Sequence, residues 1–305
     1  MKLSKIRDLT VDHGSRPGRP SHVSAASGLV RVGATLYVVA DDELHLGVFP
    51  ADGDAPGHLL RMRAGDLPTA PKARKKVKPD FEALAYLPGF GQFSQSALLA
   101  LGSGSRKGRC LGMLIPLKGD IADIQMTRPI DASGLFAQLA TEADELNIEG
   151  ALVSDDRLLL LHRGNKSHSY SAIFTIDLRS AIESMHSKGV LDTLPIQAVN
   201  HYELGLLDGI PLCFSDGAAL SNGRVAFSAV AEDTFDSYRD GPCAGSAFGI
   251  IDADGSLEFM DLLDTRLKIE GIHAQEDGPA LNVLLVSDAD DIEVPAALLL
   301  GTLDR

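Results

Sequence analysis

Five oxygen-bearing side chains recur along the sequence at nearly even intervals, and each one opens a short apolar segment. They are Ser27, Glu82, Glu149, Asp216 and Glu270. Their successive spacings are 55, 67, 67 and 54 residues, and 62 residues lead from Glu270 around the chain ends to Ser27. Carboxylate and hydroxyl oxygens are ligands that hard divalent cations such as calcium prefer. The pattern therefore predicts a metal site, provided that the fold brings these five positions together.

The segments around these residues form a repeat. In Leu146–Asn165 (LNIEGALVSDDRLLLLHRGN) an acid precedes a small apolar strand, a polar turn, a return strand and further polar residues. Repeats of this length built from short strands are typical of β-propeller blades, because one four-stranded unit cannot bury its own faces. We therefore predict an all-β, five-bladed β-propeller that forms one domain over residues 1–305. The alternative is two or three unrelated β-domains that share EG dipeptides by chance.

Four of the predicted blades have four strands, and the last has only three. The blades span residues 24–67, 80–130, 147–205, 215–265 and 269–305. The segment Leu3–Val11 alternates apolar and polar residues before a loop at His13–Gly14, which predicts a strand that belongs to no other blade. We expect it to pair with Ala296–Leu303, because this pairing completes the last blade and closes the ring.

Three connections between strands carry patterns of their own. Helical spacing of apolar residues predicts a helix in Ser133–Glu145, and a second short helix is predicted near Arg179–His186. The basic run Lys72–Lys78 (KARKKVK) is predicted to be a solvated linker that enters blade two.

The overall charge limits the classes of partner. The chain has 42 acidic against 28 basic residues, a formal net charge of −14, which argues against a general nucleic-acid or anionic-membrane binder. The sequence shows no apolar run of signal-peptide or membrane-spanning length, and the three cysteines lack a CxxC spacing. We expect a soluble cytoplasmic protein with reduced thiols, or a periplasmic one if a signal peptide has been removed.

The first strand of each propeller blade lines the central channel, so the five recurring residues are expected to form a ring around the axis. Carboxylates that face one another in a narrow channel raise each other's pKa, and a hard cation would compensate their charge. We therefore expect calcium or another hard divalent cation on the axis. There are two alternatives: water fills the channel between partly protonated acids, or the five residues lie away from the axis. A cation there could also serve only to hold the blades together.

Loops that follow the second strands return to the same mouth of the channel and carry basic and hydroxyl groups suited to an anionic ligand. The loop residues in question are Ser103, Ser105, Arg106, Arg163 and Lys166. Two lysines just before ring acids, Lys78 and Lys268, belong to the same group. Blades one, four and five carry acids at the same level. They are Asp41, Asp42, Glu232, Asp233, Asp288, Asp290 and Asp291. The rim is therefore predicted to be basic on one side and acidic on the other.

One serine and several acids, one per blade, resemble the calcium-dependent nucleotidase (apyrase) family. The segments DFEALA, NIEGALVSDDRLLLLHRG and KIEGI are also similar to bacterial phytase-like and SdiA-regulated-type propellers. The resemblance to the nucleotidases implies that Ser27, Glu82, Glu149, Asp216 and Glu270 coordinate a central calcium ion and that a nucleoside diphosphate is hydrolysed.

Two classes of function follow from these patterns. In a metal-dependent hydrolase the cation would polarise a phosphoryl or ester oxygen, Glu149 would take the proton, and Arg106 and Arg163 would hold the anion. A lactonase-like enzyme acting on a sugar acid is a further variant. In a non-catalytic propeller the cation would be structural, and the rim would bind an anionic small molecule or an acidic protein partner.

Overall fold

A computed structural model describes residues 1–12, 19–236 and 241–304. In it the chain forms five small antiparallel sheets arranged around a central channel, which is a five-bladed β-propeller. The predicted fold class is therefore confirmed, whereas the loop predicted at His13–Gly14 lies outside the described residues. No described helix is both long enough and apolar enough to cross a membrane.

The strands lie inside the predicted blade bounds, or exceed them by at most one residue, except in blade four, which begins at Leu206 and not at residue 215. Strand β1 (Lys2–Asp8) precedes blade one, which contains β2 (Ala26–Val32), β3 (Thr35–Ala40), β4 (His45–Pro50) and β5 (His58–Arg61). Helix α1 (Pro71–Val77) leads into blade two, which contains β6 (Phe81–Leu87), β7 (Ala97–Gly102), β8 (Leu111–Lys118), β9 (Ile121–Ala122) and β10 (Arg128–Asp131). Helix α2 (Ser133–Leu139) leads into blade three, which contains β11 (Ile148–Ser154), β12 (Arg157–His162), β13 (Ser171–Asp177), helix α3 (Leu178–Lys188) and β14 (Ile196–Tyr202).

Blade four contains β15 (Leu206–Leu207), β16 (Ile210–Ala219), β17 (Val225–Glu232), β18 (Cys243–Ile251) and β19 (Leu257–Leu262). Blade five contains β20 (Lys268–Asp277), β21 (Ala280–Asp288) and β22 (Ala297–Asp304). Short 3₁₀ turns lie at Lys107–Arg109, Ile124–Met126 and Ser221–Gly223. The second strands are almost wholly buried and Leu- or Val-rich, because neighbouring blades cover both of their faces.

The ring is closed by the N-terminal strand, as predicted. Strand β1 pairs antiparallel with β22, with Lys2 opposite Thr302 and Asp8 opposite Ala297. Blade five therefore has the strand order β1-β22-β21-β20. This pairing covers the edge that β22 would otherwise expose.

The first strands β2, β6, β11, β16 and β20 contact one another around the axis and line the channel. In every blade a β-bulge interrupts the pairing of the first strand with the second. The residues skipped at these bulges are Ser27, Glu82, Glu149, Ser215 and Glu270. Bulges redirect side chains and often lie beside functional sites. In blade four the ring position is thus held by Ser215, and the predicted Asp216 lies one residue further along β16.

The residue after the bulge is small in most blades because the first strands approach closely there. A Cβ atom on Gly28 would lie 2.9 Å from the backbone nitrogen of Leu84, and one on Gly271 would lie 3.1 Å from that of Leu29. These contacts explain the recurring EG dipeptide: the acid occupies the bulge, and the glycine allows the neighbouring strand to pass. Together the small residues form a narrow waist of the channel.

Candidate functional site

The larger of two cavities on the channel axis opens on the side of the bulges and encloses about 380 Å³. We call it the acidic cavity, because eleven acidic and seven basic side chains line it within the described part of the chain. The acids are Asp41, Asp42, Asp80, Glu82, Glu149, Glu232, Asp236, Glu270, Asp288, Asp290 and Asp291. The bases are Arg19, Arg74, Lys75, Lys78, Arg109, Arg163 and Lys268. Its lining thus carries an excess of four acids.

The ring predicted from the sequence is only partly assembled at this cavity. Ser27, Glu82, Glu149 and Glu270 line it. Ser215 instead donates from its hydroxyl to the carbonyl oxygen of Ile269 at 2.7 Å, between blades four and five. Asp216 lies at the waist, 1 % exposed, and accepts a hydrogen bond from the backbone nitrogen of Ile272 at 2.9 Å. Burial raises the pKa of Asp216 well above its usual range.

Two of the ring carboxylates are paired with buried cations of the protein itself. The Arg163 guanidinium lies 3.6 Å from Glu149 and 3.5 Å from Glu270, and it also pairs with Glu232. The Lys268 ammonium lies 3.1 Å from Glu270 and 3.5 Å from Asp288. The charges that a metal ion was expected to compensate at Glu149 and Glu270 are therefore already compensated by side chains from blades three and five.

The third ring carboxylate, Glu82, has a different environment. It forms neither a hydrogen bond nor an ion pair with any described residue, although it faces the cavity. One oxygen each from Asp41, Asp80 and Glu82 lie within 4.8 Å of one another. The Lys78 ammonium pairs with Asp41 and lies 3.0 Å from Asp80. These three acids, called the Glu82 cluster below, are the set of donors in the cavity that best fits a hard cation.

Asp80 is held rigidly within this cluster. Its Oδ2 accepts a hydrogen bond from Ser103 at 2.6 Å and contacts the Arg109 guanidinium at 2.6 Å. Its Oδ1 is buried and lies 3.0 Å from the Lys78 ammonium. The backbone of Asp80 has a φ of 61°, a left-handed conformation that is unusual for a residue other than glycine. Strained backbone of this kind is concentrated at functional sites, where the surrounding structure maintains it.

Burial and mutual repulsion raise the pKa of Glu149, Asp41 and Glu82. Burial raises the pKa of Glu149 to about 8, with Arg163 acting in the opposite direction and Glu270 adding to the increase. Burial raises the pKa of Asp41 to about 6, and Lys78 partly offsets this while Asp42 adds to it. The pKa of Glu82 is raised well above its usual range, by burial first and then by the nearby Glu149 and other acids. Glu149 and Asp41 can therefore exchange protons near neutral pH.

The other residues predicted to bind substrate lie in different places. Lys78, Arg163 and Lys268 line the acidic cavity, whereas Ser103, Ser105, Arg106 and Lys166 do not. Ser103 is fully buried and positions Asp80, and Ser105 accepts a hydrogen bond from Arg109 at 3.1 Å. Arg106 is exposed. Lys166 pairs with Asp233 at 2.7 Å and lies 4.5 Å from the centroid of the Phe235 ring.

The rim is not divided into a basic and an acidic side, so that prediction is wrong. Basic residues at the rim reach the acids of neighbouring blades. Examples are Lys78 with Asp41, Arg163 with Glu232, and Lys166 with Asp233. Opposite charges of adjacent loops are close enough to pair, and the pairs link one blade to the next.

Helix α1 contributes to the site although its sequence was predicted to be a linker. Arg74 on this helix is 7 % exposed, and its guanidinium lies 2.9 Å from Glu43 and 3.2 Å from Asp42. Proline is favoured in the first helical turn, and Pro71 followed by Lys, Ala and Arg was a signal that could have revealed the helix. The helix places Lys75 and Lys78 at the cavity.

Known proteins that resemble this chain do so distantly. Glutaminyl cyclase from Myxococcus xanthus is 11 % identical, with a TM-score of 0.48 over 99 % of this chain and 97 % of that one. A chain of a nidogen/laminin complex is 12 % identical, with a TM-score of 0.43 over 93 % and 81 %. The WD40 propeller of Doa1 is 9 % identical, with a TM-score of 0.36 over 93 % and 94 %. No curated protein matches the sequence. The model of a family of unknown function, DUF6929, matches residues 22–303, and the chain belongs to this family.

Proposed function

We propose that the acidic cavity binds a hard divalent cation, calcium in the first instance, at the Glu82 cluster, and that it hydrolyses a phosphate or ester that enters through the mouth. The single observation that carries this proposal is the state of Glu82. It is a cavity carboxylate that forms no hydrogen bond or ion pair with the described residues, and oxygens of Asp41 and Asp80 lie within 4.8 Å of its own. Oxygen donors at this spacing suit calcium, which accepts loose geometry and completes its coordination with water.

The charge of the cavity supports a cation as the ligand. Its described lining has four more acids than bases. A site with this excess of acids attracts positive charge. The proposed donors differ from the five residues that the nucleotidase resemblance implies, because Glu149 and Glu270 are paired with Arg163 and Lys268.

Lys78 competes with a cation at this site. Its ammonium group contacts Asp41 and Asp80, two of the three proposed donors. A divalent ion would therefore have to displace the ammonium, which a lysine allows because its four-carbon stem is flexible. We expect the affinity for the ion to be lower than the number of carboxylates alone implies.

A bound divalent cation supplies Lewis acidity and lowers the pKa of bound water. The chain itself would supply the remaining groups. Glu149 lines the cavity beside Glu82 in the ring and is the proposed proton carrier, and Arg163 is the guanidinium nearest to it. For Arg163 to hold an anionic substrate, it must exchange one of its three carboxylate partners for that anion.

A second candidate function is a non-catalytic binding propeller in which the cation only stabilises the ring. The observation that favours it is the pairing of Arg163 and Lys268, each of which contacts at least three acids. Basic groups that are held in this way are poorly available to an anionic substrate.

Metal binding is tested on chelator-treated protein by calorimetry and thermal unfolding with calcium, magnesium and manganese. At a hundredfold excess over the dissociation constant, a specific ion should stabilise the fold by about 2.7 kcal/mol. Glu82→Gln should abolish most of this gain, while Glu203→Gln, a change at an exposed acid outside the cavity, should retain it. If none of the three ions raises the melting temperature of the wild-type protein, the metal site does not exist.

Catalysis is tested with nucleotides, phytate, sugar phosphates, aryl esters and lactones, each assayed with calcium and with chelator. Calcium-dependent turnover that Glu149→Gln reduces at least tenfold supports the hydrolase. Tight metal binding without turnover of any substrate supports the binding propeller instead.

A further inference from the structure

A second cavity, of about 200 Å³, lies at the opposite end of the channel, beyond the waist. Short stretches of all five first strands line it. They contribute Leu29–Arg31, Leu84 with Tyr86, Ala151–Val153, Gly217–Ala219 and Ile272–Ala274. Most of these side chains are aliphatic, and we call this space the apolar cavity. It shares none of its lining residues with the acidic cavity.

Three polar side chains border the apolar cavity, and none of them has a side-chain partner among the described residues. Arg31 donates only from Nε, to the carbonyl oxygen of Gly33 at 3.0 Å, and forms no ion pair. The hydroxyl of Tyr86 and the ring nitrogens of His273 make no hydrogen bond in the described part of the chain. Arg31 and His273 are partly buried, and Tyr86 is 39 % exposed.

The charge of this cavity is opposite to that of the acidic cavity. No acidic side chain lines it, and Arg31 is its only charged group at neutral pH within the described lining. Burial, together with the nearby Arg31, lowers the pKa of His273 to about 4, so that its imidazole is neutral. Neutral His273 and Tyr86 can each donate a hydrogen bond. The guanidinium has its two terminal nitrogens free for a bidentate contact with a carboxylate.

We propose that the apolar cavity is a binding site for a small aliphatic carboxylate, with the carboxylate on Arg31, Tyr86 and His273 and the hydrocarbon chain against Leu84, Leu152 and Ile272. Small-molecule sites in proteins are concave and largely apolar, with a few polar groups that converge on the head of the ligand. The site is independent of the function proposed for the acidic cavity. Neither binding event requires the other.

The test is calorimetry with butanoate, hexanoate and octanoate on the wild-type protein. Affinity should rise roughly fourfold for each added methylene, the equivalent of about 0.8 kcal/mol, until the chain fills the cavity. Hexylamine and hexanol should bind at least tenfold more weakly than hexanoate, because they lack the charge that pairs with Arg31.

Variants separate this site from unspecific binding. Arg31→Gln should weaken hexanoate binding about tenfold or more, Arg31→Lys should weaken it less, and Arg61→Gln, at an exposed arginine of the same blade, should leave it unchanged. The proposal is overturned if wild-type protein binds none of the acids at millimolar concentration, if hexanol binds as well as hexanoate, or if Arg31→Gln binds hexanoate as tightly as Arg61→Gln.

Discussion

The two ends of the channel are built from the same five strands and differ in almost every physical property. At the bulge end, the loops after the second strands bring in long charged side chains, and most of these form buried ion pairs. At the other end the strands are regular, the lining is mostly aliphatic, and Arg31 has no acidic partner in the part of the chain that the structure describes. The bulge in each first strand separates the charged end of the channel from the aliphatic end. One residue inserted per blade converts an ordinary strand surface into a site that concentrates charge.

A pair of arginines expresses this difference most directly. Arg163 contacts Glu149, Glu232 and Glu270 and is 8 % exposed, whereas Arg31 contacts no acid among the described residues. The first should be indispensable to the fold, and the second should be free for a ligand.

The largest effect is expected at Arg163. The change Arg163→Met leaves three buried carboxylates without their shared cation and should lower the free energy of unfolding by about 3–5 kcal/mol. Urea denaturation at neutral pH measures it. A loss below 1 kcal/mol would mean that the acids of the cavity are protonated or hydrated and that the ion pairs do not stabilise this end.

A change at Lys78 tests how strongly its ammonium group competes with calcium for the Glu82 cluster. The change Lys78→Met removes the competing ammonium and should tighten calcium binding about tenfold or more, since hydrogen bonds to charged groups contribute about 1.5–3 kcal/mol. The calcium-free variant should be less stable than wild type, and calcium should restore the loss. Calorimetry and thermal unfolding with calcium and chelator provide both values. Equal affinity in variant and wild type would contradict competition by Lys78.

Glu149 at the bulge end and His273 at the other end should respond to pH in opposite directions. Glu149, with its pKa raised to about 8, binds more protons in the folded than in the unfolded state between about pH 4.5 and 8, so stability is lost as the pH rises through this window. His273, with its pKa lowered to about 4, is stabilising above pH 6.5, and this contribution is lost as the pH falls toward 4. His162, whose pKa burial also lowers to about 4, acts in the same direction as His273.

Single substitutions should show which residue causes each change of folding stability with pH. Glu149→Gln should flatten the decline of stability with rising pH, and His273→Gln should flatten part of the decline toward acid, each by at most one proton, or about 1.4 kcal/mol per pH unit. Urea denaturation between pH 4 and 9 measures the slopes. An unchanged alkaline slope in Glu149→Gln would show that this carboxyl is ionised throughout.

The smallest effect is expected at Arg31. The change Arg31→Gln removes no ion pair and only one hydrogen bond to a turn carbonyl, so stability should change by about 0.5 kcal/mol or less. Denaturation alongside Arg163→Met gives the comparison directly. A loss above 2 kcal/mol would assign Arg31 a structural partner and remove the basis for a carboxylate site.

The fold was predictable because the repeat has a physical cause. The acid at the bulge and the small residue that lets the next strand pass recur in most blades. The short apolar segment that follows them marks the first strand. The unpaired strand at Leu3–Val11 had only one edge left to join. In blade four the predicted ring residue is one position too far along the chain. Asp216-Gly217 resembles the EG dipeptide of the other blades, whereas the bulge lies at Ser215.

The site was less predictable because its properties depend on distances between blades. Glu82, Glu149 and Glu270 were predicted to face the channel and do line the acidic cavity, but nothing in their spacing shows that Arg163 and Lys268 reach two of them and leave the third unpaired. Loop charges on different blades pair only once the ring is closed. Arg74 shows the same limit, since its acidic partners Asp42 and Glu43 lie in another blade, more than 30 residues earlier in the chain.

The closing pair of strands has a consequence for the synthesis of the chain. Lys2 lies opposite Thr302, so β1 leaves the ribosome long before the strand that it joins. At about 5–20 residues per second, the translation of the residues between them takes about 15–60 seconds. During that time β1 cannot find its native neighbour, and blade after blade forms with the ring still open. Lys2 and Lys5 on this strand are the type of charge that discourages pairing with foreign edges, so the nascent chain carries its own protection until β22 emerges.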